Sequence, residues 1–175
     1  AWALALVVVL AAGCGGRARM VPKTGRAIGA VELVGARPGD RGAVLAGLGL
    51  VYARATGQPF GRFLVAQDER RIASYYVRRG FFAAAVSSAV TDAAGAADVE
   101  FTIVLGVRAK LVRVDVVGLP ADAGVSAAAL RALVPLADGA PFDHDVYAEA
   151  APRVPEALQA AGYARAKVEG VVLAD

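Results

Sequence analysis

Cysteine is all but missing from this chain: Cys14 is the only one in 175 residues. No intrachain disulfide can form, and zinc sites built on cysteine are excluded. Histidine is equally scarce. His144 stands alone between Asp143 and Asp145. Residues so close on one short segment cannot converge on one ion, so the triplet reads as an acidic helix start beside the helix dipole. A phosphate-binding loop is lacking, because Gly47-Leu48-Gly49 runs into Leu50-Val51-Tyr52 without the required Lys-Ser/Thr. Ser87-Ser88 has no base near it in sequence. There is no basic helical stripe and no aromatic platform, so nucleic acid is not an expected partner. These absences describe a chain that is not an enzyme and calls for no cofactor and no metal.

Net charge is small, +3, and unevenly placed. Arg17, Arg19, Lys23 and Arg26 give residues 15–27 four positive charges and no negative one. Residues 28–107 carry eight basic and seven acidic groups, and residues 108–175 seven and nine. The folded parts are close to neutral, and the excess sits in a Gly/Pro-punctuated tether that could touch anionic headgroups or simply be solvated. Before it, residues 1–13 are uncharged and nearly all apolar. As a helix they would span roughly 20 Å, short of the ~30 Å hydrocarbon core, and they read as the apolar region of an export signal. The chain begins at Ala1, so a basic leader is expected ahead of it.

What the chain does have is internal repetition. Gly57, Pro59, Phe60, Gly80, Phe81 and Val86 recur as Gly139, Pro141, Phe142, Gly162, Tyr163 and Val168, each 82 positions on. Upstream, Val31-Glu32-Leu33-Val34-Gly35 matches Val114-Asp115-Val116-Val117-Gly118 at an offset of 83. Two copies of one small domain follow from this register.

Each copy reads as strand, helix, helix, strand, strand. Val31 and Leu33 flank Glu32, and Val112, Val114 and Val116 alternate with Arg113 and Asp115, so each first strand has one buried face. Asp40 and Ser126 are candidate caps of the first helices. The second helix of copy one places Leu64, Asp68, Ile72 and Tyr76 every four residues. Its run Asp68-Glu69-Arg70-Arg71 reads as a solvated face, and Tyr75-Tyr76 as surface plus core. In copy two, Pro152 and Pro155 fall inside that helix, where an interior proline costs ~3 kcal/mol, so a break with Pro152 opening a new segment is expected. Gly80 and Gly162 stop the helices, and Phe81 and Tyr163 are expected to fold back onto them. Copy one closes with a hairpin, Phe82–Thr91 and Val99–Val107, joined by an exposed alanine-rich loop over Asp92–Asp98. Copy two reaches only the start of its hairpin before Asp175, so its last strand is expected to lie beyond.

Leu10-Ala11-Ala12-Gly13-Cys14 resembles a bacterial lipoprotein signal, which implies cleavage before Cys14 and its acylation. An ordinary cleaved signal and a membrane anchor remain the alternatives. The ordered set Gly57-Gln58-Pro59-Phe60, Ile72, Tyr75, Tyr76, Gly80, Phe81, Phe82, repeated as Gly139-Ala140-Pro141-Phe142, Leu158, Gly162, Tyr163, resembles the POTRA (polypeptide-transport-associated) domain of the BamA/TamA superfamily. The resemblance implies an α+β fold of two tandem β-α-α-β-β units, each a three-stranded mixed sheet with two helices on one face. The organisation is then an apolar signal region at 1–13, a tether at 14–27, and units at 28–107 and 108–175, the second lacking its last strand. It implies a periplasmic arm at the cell outer membrane, ahead of a C-terminal barrel. Its expected partners are unfolded outer-membrane proteins or periplasmic lipoproteins, bound along the strand after the second helix through Phe82, Ala84, Val86, Ser88 and Val90. A stand-alone lipoprotein adaptor and an FtsQ-like cell-division module are the alternatives.

Overall fold

Residues 25–120 and 122–171 are described in the computed structural model of this chain; the apolar leader and Cys14 lie outside them. Alternating apolar residues build strand β1 (Ala27–Val34) and the more regular β3 (Ala96–Val104). Between them in sequence come α1 (Arg41–Ala46), α2 (Gly49–Ala55), α3 (Arg62–Val77) and β2 (Ala85–Ala93). The sheet order is β1-β3-β2, with β3 parallel to β1 and antiparallel to β2. This is the expected mixed sheet. Leu33, Val99, Phe101 and Ile103 meet Val44, Leu48, Leu50, Val65, Ile72 and Tyr76 of the helices in one core.

Several details differ from the expectation. The first helix is two short ones, because Gly47 closes α1 and Leu48, in an extended conformation, starts α2. Hairpin strands β2 and β3 reach further toward their turn than the alternation suggests, and at the other end stop short of Phe82 and Val107, leaving a two-residue turn at Ala94 (φ 48°) and Gly95 (φ 78°). Paired positive φ values are those of the hairpin turn whose twist matches the strands. The alanines at its base are therefore not loop: Ala96 and Ala97 are buried in β3. β1 bulges between Ile28 and Val31, where the Ala30 N–H donates to Asp98 Oδ1 at 2.6 Å. At its far end Gly35 has φ 80°, and a Cβ there would stand 2.1 Å from the Ile103 carbonyl oxygen, so the strand can leave the sheet only through glycine.

The second unit has helices α4 (Ala127–Ala132), α5 (His144–Ala150) and α6 (Arg153–Ala160) around Leu130, Val154 and Leu158. Ser126 caps α4 as expected, its hydroxyl accepting from Ala129 N–H at 3.1 Å. The long helix does break at Pro152, which caps α6. Pro155 then falls in the first turn, where no intrahelical acceptor awaits its missing N–H. Among the described residues the second unit has no strand, although Val114 and Val116 keep the alternation by being more buried than their neighbours. In the first unit the last strand in sequence is the central one, and both others pair only with it. In the second, residues 116–120 and 162–169 line a cleft of about 670 Å³ with Leu130, Val154 and Leu158.

Candidate functional site

The strand expected to receive a partner is β2, at one edge of the sheet. Val86, Ser88 and Val90 lie on it, half-buried, on the side facing α3. Ala85, Ser87 and Ala89 alternate with them and are exposed. Over residues 85–90 this edge is built of Ala, Ser and Val and carries no bulky or charged side chain to block a neighbour, while further along Asp92 pairs with Arg26. Along its inner side runs a groove of about 290 Å³ between α3 and β2, lined by Arg62, Val65, Ala66, Glu69, Ser88 and Val90. Phe82 and Ala84 are not part of this edge. Both precede the strand, because the chain turns after Gly80 and becomes extended only at Ala85.

Phe82 belongs to a second feature, the joint between the units. Its ring lies 5.6 Å from that of Phe142, centroid to centroid. The linker is stitched between the two: Ala109 N–H donates to Gly80 O at 2.8 Å, and Phe142 N–H donates to Ala109 O at 2.9 Å. Arg108 pins the same place. Its Nε donates to Arg79 O at 2.7 Å, its Nη2 to Phe142 O at 3.2 Å, and its guanidinium lies 5.8 Å from the Phe81 ring. Arg78 donates through Nε to Asp145 Oδ1 at 3.0 Å and accepts at its carbonyl from His144 N–H at 2.7 Å. The acidic triplet is thus accounted for: Asp143 caps α5, and Arg78 holds the Asp145 carboxyl below the usual carboxylate range. No cluster of metal-ligating side chains occurs among the described residues.

The charged run of α3 departs from its expected role. Asp68 is fully buried. Its two carboxylate oxygens accept from the N–H groups of Gly49 and Leu50, each at 2.8 Å, and Arg71 pairs with it at 2.6 Å. It caps α2 from another helix. Nothing in the local pattern marks this, except that Asp68 falls on the same four-residue stripe as Leu64, Ile72 and Tyr76. Tyr76 is core, edge-on to Phe81 at 6.0 Å, while Arg79 stacks 3.7 Å over the Tyr75 ring. Burial raises the pKa of both phenols.

Residues 27–106 match the family model POTRA, described as surface antigen variable number repeat. Among solved structures, the chain resembles the POTRA3–5 segment of BamA from Haemophilus influenzae, with 17% identity and a TM-score of 0.48. The resemblance covers 75% of this chain and 50% of that one, so the chain spans about half the length of that structure. No curated protein matches.

Proposed function

Given a POTRA domain at residues 27–106, we propose that this chain is a periplasmic arm of an outer-membrane protein assembly or translocation factor. It binds extended segments of unfolded outer-membrane proteins, or of partner lipoproteins, by adding them as a fourth strand beside β2. The observation that supports this is the small-residue edge of β2 with a groove along its α3 side. Strand addition draws affinity from backbone hydrogen bonds and selectivity from alternate side-chain pockets. Here the groove floor is Val65, Ala66 and Val90, with Arg62 and Glu69 beside it. It takes a small or medium apolar side chain and reads little else, which suits a receiver of many clients. No bond is made or broken. Attachment to the outer membrane is through an acyl group on Cys14, a following barrel, or both.

The test is titration of the isotope-labelled chain with a ten-residue peptide from a barrel strand. Chemical-shift changes and slowed amide exchange are expected along Ala85–Ala93 and at Val65 and Glu69. Ser88→Arg, which fills the groove, should weaken binding about tenfold. Perturbation confined to β1, or none at millimolar peptide, would refute the β2 reading.

A further inference from the structure

Direction as well as fit is written into the β2 edge. Ala94 and Gly95 form a two-residue turn, so Ala93 and Ala96 on either side of it are a hydrogen-bonded pair. Hydrogen-bonded and non-hydrogen-bonded pairs alternate along an antiparallel ladder. Ala85, Ser87, Ala89 and Thr91 therefore turn their backbone groups toward β3, and Val86, Ser88 and Val90 turn theirs to the open side. Arg26 fits this parity: its Nη2 donates to Thr91 O at 3.1 Å and to Ala96 O at 3.5 Å, two oxygens that face one gap between the strands. The residues with outward backbone groups are thus the ones whose side chains face α3. An added strand pairs with these three, and its residues opposite them face the groove.

The groove carries opposite charges on its rim. Arg62, Val65, Ala66 and Glu69 recur at helical spacing, share one face of α3 and line it together. The helix runs antiparallel to β2. Its start lies at the hairpin end, where Phe60 N–H donates to Arg26 O at 2.7 Å and Arg26 pairs with Asp92. Its other end turns back into β2 through Phe81 and Ala84. Arg62 therefore stands toward Val90, and Glu69 lies ~10 Å along the helix toward Val86. Among the described residues neither has an ion-pair partner, and Asp92 at the Arg62 end is already taken by Arg26. The apolar floor admits a side chain whichever way its strand runs. The rim does not.

We propose that Arg62 and Glu69 set the direction in which a client strand is added, an inference that rests on β2 being the receiving edge. Groove-facing residues of an extended client recur every ~7 Å. Two of them four residues apart bracket the ~10 Å between the rim charges, with a small apolar residue over the floor between them. The segments read in this way carry an acid and a base two positions on either side of a small apolar residue. Their acid lies against Arg62 and their base against Glu69. An acid-first segment then runs antiparallel to β2 and a base-first segment parallel, while a segment without the charges is taken either way. One exposed ion pair contributes little. Reversal, however, exchanges two attractions for two repulsions, which biases direction about tenfold.

Two peptides centred on Glu-Thr-Val-Thr-Lys and Lys-Thr-Val-Thr-Glu test this, each with a nitroxide at its N-terminus, added to the isotope-labelled chain. The acid-first peptide should broaden the amides of Thr91, Asp92 and Ala93 about tenfold more than those of Ala85 and Val86. The base-first peptide should do the reverse. In Arg62→Glu/Glu69→Arg the two patterns should exchange, and in Arg62→Gln/Glu69→Gln each peptide should broaden both ends alike. Neither residue is buried, so circular dichroism should be unchanged. Equal broadening of both ends in the unaltered chain would overturn the proposal, as would a pattern that the charge reversal leaves in place. A peptide that perturbs β2 nowhere would overturn the edge reading and this inference with it.

Discussion

Two residues of the first unit weigh on its stability differently than their sequence surroundings advertise. Asp68 replaces water at two helix N–H groups from a fully buried position. Asp68→Ala strands those donors and unpairs Arg71, and should lower stability by about 2–4 kcal/mol in urea denaturation. Ala94 errs in the other direction. It holds a positive φ that glycine adopts without strain, so Ala94→Gly should raise stability by about 0.5–1 kcal/mol, seen as a higher urea midpoint. Local pattern reading fails at both for one reason: it weighs a side chain against its neighbours in sequence. The partners of Asp68 lie 18 and 19 residues away, and the turn at Ala94 is imposed by two strands already committed to a register.

At the scale of elements, periodicity and punctuation went far. Alternation in β1 and β3, the four-residue stripe of α3, the glycine stops at Gly80 and Gly162, and the break at Pro152 were all legible. Split α1 and α2 were less so, since Gly47 and Gly49 mark weakness without saying which residue yields. The candidate edge is legible as a strand but not in its limits, because Phe82 continues the apolar run while its ring packs at the joint against Phe142. No pattern within one repeat could reveal that joint, because half its atoms belong to the other copy. Its exposed ion pair sets a pH dependence. Asp145 is held low by Arg78, so the pair is intact at and above the ordinary carboxylate range and is lost as pH falls through the lower folded value. Nitrogen relaxation should find the units tumbling together at neutral pH and more independently in strong acid. Asp145→Asn should reproduce the acid behaviour at neutral pH, and high salt should do so in part.

For the whole molecule, the two cores are unequal. The first joins three strands to three helices, whereas the second rests on Leu130, Val154 and Leu158 beneath an open cleft. Urea should therefore unfold the chain in two steps. Amides of α4 to α6 should exchange first and those of β3 last; a single cooperative transition would show that the joint welds the units into one. Placing the sheet's only shared strand last in sequence also sets a clock. As the chain emerges from its N-terminus, the first unit cannot close its sheet until Ala96–Val104 has appeared, some seventy residues after β1 begins. Until then β1 and β2 have no strand to pair with, and the β1–β3 pairing that follows is non-local. Such a unit commits to its shape only once its final nine residues arrive, so chain emergence and folding are kept apart by strand order.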